Sequence, residues 1–242
     1  MDGTLLPLAI EPSCDDAADY HGRKFRYSLS VMVICDDRRK IRAYLSGFAG
    51  CCHDNRIWQF MDQHTQQEKH FAIVEYILCD TAFEPGNHAI PAFKAVRGQV
   101  LDRKENKFNF AMAKPRVISE HTNGIWKGRF PWLRHIRMQI TNERKSLKRI
   151  LRYIEATVVL HNVLIDLGAD ARGDDWDCED DLTDIDEPDR APDDLELYGL
   201  DHVVPRGLNK GTRREQLKEF IWDKWHPTYN YRSQSDDSSD SS

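Results

Sequence analysis

Residues 25–35 read FRYSLSVMVIC. β-branched and aromatic side chains crowd this run and charged residues bound it, so it is predicted as one buried strand. Four charged residues follow, Asp36-Asp37-Arg38-Arg39, and residues 40–48 then read as the hairpin partner. A second apolar run of strand length, FAIVEYILC at residues 71–79, ends at Asp80. Far downstream, residues 143–167 place Leu147, Ile150, Leu151, Ile154, Val158 and Ile165 at helical spacing, and Gly168 follows as a stop. Early strands and a long late helix predict a mixed α/β domain.

Between these landmarks, residues 54–63 read as a short helix capped by Asp54. Residues 81–106 hold Pro85-Gly86 and Pro91 and read as loop. Residues 108–126 fit a helix, with Pro115 expected at a kink or near the first turn. Residues 169–198 are dominated by Asp and Glu and are expected to lack a fixed fold. Residues 212–222 suit one more short helix, and the closing SQSDDSSDSS is low-complexity and expected to be disordered. The predicted division is a body at 1–168, an acidic linker at 169–198, and a short helix with a Ser/Asp tail at 199–242.

The 242 residues, 40 % of them apolar, suffice for one good core. No apolar run approaches the roughly 18 residues of a membrane span. The six cysteines have no CxxC or zinc spacing, so reduced thiols are expected. The net charge of −6 conceals a split: residues 1–168 carry 25 Lys and Arg against 19 Asp and Glu, or +6, and residues 169–242 carry 9 against 21, or −12. A basic body with an acidic tail suits a nucleic-acid-facing domain with a solvated appendage. An ordinary solvated body with an incidental tail fits the charge equally well.

Four acids stand out. Asp2 lies in MDGT, Asp54 in GCCHDNR, Asp80 at the end of YILCD, and Glu120 mid-helix in RVISEHTNGIWKGRF. Phosphodiester hydrolysis calls for such groups: two hard cations about 4 Å apart activate water and stabilise the leaving oxygen, and Mg²⁺ prefers carboxylate oxygen. Taken singly, each acid is as readily a helix cap or a surface charge. Arg116, Glu120, Asn123 and Lys127 share one helical face, which suits a metal-holding Glu beside phosphate-binding cations; an Arg116–Glu120 surface pair is the plainer reading. Trp126, Phe130, Trp132 and Leu133 interleave with Lys127, Arg129 and Arg134. The aromatics read mainly as core, and Lys127 and Arg129 as DNA-facing. His161 reads as a hydrogen-bonded core histidine and His53 as structural or near the site.

In order along the chain, MDGTLLPL, YHGRKFRYSLSVMVICD, GFAGCCHDNRIW, YILCDTAF, FNFAMAKPRVISEHTNGIWKGRFPWLR and VVLHNVLI resemble the successive boxes of the PIF/Harbinger transposases and the domesticated Harbinger transposase-derived nucleases. Gly22, Ala49 and Ala113 depart from that pattern. The resemblance implies a ribonuclease H-like mixed sheet flanked by helices, with Asp2, Asp80 and Glu120 as the catalytic triad and Asp54 as a further metal ligand. It implies Mg²⁺ or Mn²⁺, two ions in number, and contacts to DNA from Arg116, Lys127 and Arg129. DNA is the implied partner, with a separate DNA-binding protein beside it, no membrane, and a nuclear location. Because the sequence begins one residue before Asp2, the first strand is expected to be N-terminally truncated and the family's helical DNA-binding region to be missing. The expected activity is metal-dependent cleavage or strand transfer at DNA phosphodiesters; the alternative is an inactive domesticated module that binds DNA or protein.

Overall fold

The computed structural model describes residues 1–22, 26–95, 100–169 and 212–225. Three strands form an antiparallel sheet in the order β1 (Asp2–Pro7), β2 (Ser28–Cys35), β3 (Ile41–Ala49). β4 (Ile77–Cys79) and β5 (Ala89–Pro91) pair in parallel. The main-chain nitrogen of Met1 donates to the Leu78 carbonyl at 2.8 Å, so the start of β1 abuts β4.

Burial follows the strand period of two. Leu29, Val31 and Val33 of β2 face a core shared with Leu6 and Leu8, Trp126, Ile150, Ile154 and Val158. Met32 and Ile34 face the other core, with Ile57, Trp58, Met61 and Ile77. A central strand covered on both faces reads as an unbroken apolar run, which is why β2 is legible while the half-covered β3 alternates less clearly.

α1 (Asp54–Gln59) lies on the second face through Ile57 and Trp58, and the short α2 (Asp62–Thr65) and α3 (Gln67–His70) follow it without burying a residue. α4 (Arg103–Arg129) and α5 (Arg144–Asp166) cover the first. Asp102 caps α4: its side chain accepts from the Glu105 amide while Glu105 returns a bond to the Asp102 amide. α5 ends where Gly168 takes a φ of +69°, a left-handed conformation that glycine adopts without strain. α6 (Arg213–Trp225) packs Leu217 and Ile221 against Phe93, Phe108 and Met112.

Several expectations shift. Residues 54–63 are two short helices, and His53, not Asp54, holds the cap position of the first, without a side-chain cap bond. Only Ile77–Cys79 of the run 71–79 is strand, because its partner β5 is itself three residues long; Ile73 is 91 % exposed. β2 begins at Ser28 rather than at residue 25, which lies outside the described residues. Pro115 sits inside α4, more than three turns from its start. The acidic run 169–198 and the Ser/Asp tail fall outside the described residues, apart from residue 169.

Candidate active site

Asp2 opens β1 and its side chain points to the α4 face, where the Asn123 side-chain amide donates to its Oδ2 at 3.0 Å. Asp80 follows β4 directly. Its Oδ1 accepts from the Thr81 amide at 2.6 Å and from the Arg116 guanidinium at 3.1 Å. The two carboxylates are near enough to repel: burial pushes the Asp2 carboxyl above its ordinary value, the charge of Asp80 adds to the rise, and the Met1 ammonium and the Asn123 bond oppose it. One helix thus holds both acids, Asp80 through Arg116 and Asp2 through Asn123, residues seven apart on a single face.

Glu120 lies between those two anchors on α4 and is exposed. Arg116 engages Asp80, so the simple Arg116–Glu120 surface pair is not what this helix forms. Asp54 approaches from the other side of β1. A Cβ built on Gly3 would meet the Asp54 Oδ1 at 2.2 Å, so the Asp54 carboxylate lies directly on the Gly3 backbone. Asp54 also lines a surface hollow of about 490 Å³ with His53, Asn55, Arg56, Gln59 and Ala82, which joins α1 to the segment just after Asp80. The structure therefore brings Asp2 and Asp80 together, with Asp54 across β1 and Glu120 on the outer turn of α4. Among the described residues, no three His, Cys, Asp or Glu side chains converge closely enough to hold a metal ion.

The cations expected to face DNA have differing surroundings. The Arg116 head is committed to Asp80. Arg129 is partly buried, which lowers its pKa, and its Nη1 stands 3.4 Å from the His161 Nδ1. His161 is fully buried on α5 and its Nε2 lies 2.9 Å from the Arg39 carbonyl. These contacts fit the neutral tautomer, with Nε2–H donating and Nδ1 accepting, and burial lowers the His161 pKa accordingly. Trp126 and Leu133 are fully buried, while Phe130 and Trp132 pack against the same core. Lys127 is half-buried near the end of α4.

Ser119 and Gly3 escaped the reading of the sequence. The Ser119 hydroxyl accepts from the Met1 nitrogen at 3.3 Å and contacts the Cys35 thiol. No spacing rule singles out such a serine. Gly3 had a signal in the MDGT tetrapeptide, but its reason is visible only once Asp54 is seen against it.

Over residues 1–162 the chain matches the DDE superfamily endonucleases. It belongs to that family. No curated protein and no solved structure matches it. As a DDE endonuclease domain it has a nucleic-acid phosphodiester as its implied substrate, and α6 lies outside the matched stretch. DDE superfamily endonucleases generally use divalent metals. The residues present fit such a cation in part. Asp2 and Asp80 supply hard oxygens and mutual repulsion that a cation relieves. Beside Asp2, the Asn123 Oδ1 is buried and has no hydrogen-bond partner among the described residues. Next to Asp80, burial pushes the Cys79 thiol up to about 12.

Proposed function

We propose that this domain is a transposase-derived, metal-dependent DNA endonuclease of the PIF/Harbinger type. The observation that carries the reading is the Asp2–Asp80 carboxylate pair, each member anchored to one face of α4 on either side of Glu120. The β3-β2-β1 order, with the start of β1 bonded to β4, supports a ribonuclease H-like sheet.

In this reading Asp2, Asp80 and Glu120 are the catalytic acids; Asp2 and Asp80 would hold Mg²⁺ or Mn²⁺, and the parts of Glu120 and Asp54, which do not converge with them in this structure, rest on the family resemblance. When bound, the ions lower the pKa of the attacking water and offset charge on the leaving oxygen. The chain's own contribution is orientation. Asn123 aims Asp2 and Arg116 aims Asp80. α1 presents Asp54, and Asp2 is largely buried while the Asp80 side chain stays 48 % exposed. Lys127, near the far end of α4, would touch the phosphate backbone without reading bases, and Arg129 would join it only by turning from His161. DNA as partner implies a nuclear location.

Nicking of supercoiled plasmid in Mg²⁺ or Mn²⁺ tests the proposal. Wild type is expected to nick only with metal, and Glu120→Gln to lose the activity while keeping its fold. A folded protein without metal-dependent nicking, and without a metal-induced rise in melting temperature, overturns the reading in favour of an inactive binding module.

A further inference from the structure

α5 buries one face and leaves an organised second one. Ile150, Ile154, Val158 and His161 point into the core. On the opposite side Tyr153, Ala156, Leu160, Val163 and Leu167 recur at alternating steps of three and four residues. At about 100° per residue, that spacing draws one straight stripe along the helix. It is exposed: Tyr153 by 50 %, Leu160 by 51 %, Val163 by 46 % and Leu167 by 75 %. Scattered exposed apolar residues need no explanation, but a continuous stripe at this period marks a surface that packs on another helix.

We propose that this stripe is a self-association surface on which α5 pairs antiparallel with α5 of a second copy of the chain. The charges beside the stripe select the occupant and its direction. Arg144, Lys145, Lys148, Arg149 and Arg152 crowd the first half of the helix, and the second half has no Lys or Arg. A parallel pair sets Arg149 against its own copy and gains no opposite-charge pair. In the antiparallel pair, Tyr153 packs on the partner's Val163 and Leu160 packs on the partner's Ala156. The same register sets Arg152 beside the partner's Asp166, twice by symmetry. Asp166 bonds Lys40 at 2.7 Å and is still 61 % exposed, so one of its sides is open to a second cation. Antiparallel helix dipoles also favour this arrangement.

The test is sedimentation equilibrium on the full chain over a range of concentrations, beside Leu160→Glu, Arg152→Asp and the swap Arg152→Asp/Asp166→Arg. The wild type is expected to reach twice the 28.2 kDa chain mass. Leu160→Glu and Arg152→Asp are expected to sediment as monomers with unchanged circular dichroism, since both side chains are exposed. The swap is expected to restore the dimer, because the antiparallel register rebuilds both ion pairs. Monomeric wild type at every concentration overturns the proposal, as does a dimer indifferent to Leu160→Glu. A swap variant that stays monomeric while folded overturns the antiparallel register.

Discussion

Asn123 shows how much one side chain can decide. Its amide nitrogen holds a largely buried carboxylate, and its oxygen has no partner among the described residues. Replacing it with leucine removes the donor from Asp2 and leaves a buried charge without its hydrogen bond, a change that costs about 1–3 kcal/mol. The expected outcome is a lower melting temperature in metal-free buffer and a smaller stabilisation by Mn²⁺, read by thermal denaturation with and without the ion. Gly3 offers a sharper probe of Asp54. Gly3→Ala puts a methyl group where the Asp54 carboxylate now lies, and a short side chain has little room to yield. Nicking is expected to fall more steeply than stability, and unchanged nicking would remove Asp54 from the active constellation. His161 gives the pH dependence. Burial lowers its pKa below the ordinary 6.5, so the folded protein refuses a proton that the unfolded chain accepts. Its contribution is therefore complete above pH 6.5 and is lost as the pH falls below that value. His161→Gln is expected to flatten the decline in stability as the pH falls below the ordinary histidine range, followed by urea unfolding.

At the scale of elements, α4 is the frame of the site, and its start is sharply defined. Asp102→Ala removes one half of a reciprocal cap and is expected to cost about 1 kcal/mol in urea unfolding. Pro115 works against the same helix by withholding an amide from its interior. Pro115→Ala is expected to stabilise the fold by about 1–3 kcal/mol while changing nicking, since Arg116 and Glu120 follow directly. β2 and α5 were legible because their burial is complete or one-sided over many residues, β3 followed as the hairpin partner of β2, and α4 and α6 were read as helices with shorter bounds than they have. Residues 71–79 misled because apolar character and strand length are not sufficient; β5 offers only three partner residues. Asp54 misled as a cap because an acid in the first turn resembles one in the cap position. In the site, the acids themselves were readable as types and positions. The anchoring of Asp80 by Arg116, a contact 36 residues apart, depends on a β4–α4 approach that no local spacing encodes.

At the scale of the molecule, charge governs the expected handling of DNA. The body at +6 is expected to bind duplex DNA with affinity falling steeply as salt rises and with little sequence preference. Lys127→Ala is expected to weaken binding equally across sequences and to reduce the salt slope by about 1. Deleting residues 169–242 removes −12 of charge and is expected to tighten binding, measured by fluorescence anisotropy across a salt series. Equal affinities for the long and short chains would show that the acidic tail leaves the basic face alone.

The contact between α5 and the hairpin tip has a further consequence. Asn162 accepts from the Ile41 amide and donates to the Ile41 carbonyl, both at 2.9 Å, so its side chain occupies the backbone positions that another strand would use. β3 is the outer strand of its sheet, and an outer strand with open amides is a template for runaway stacking between molecules. Asn162 acts as a stopper at the end of that template. With alanine there, the domain is expected to gain thioflavin-positive fibrils on gentle heating before any loss of its helical signal, so that solubility, rather than stability, is what this amide protects.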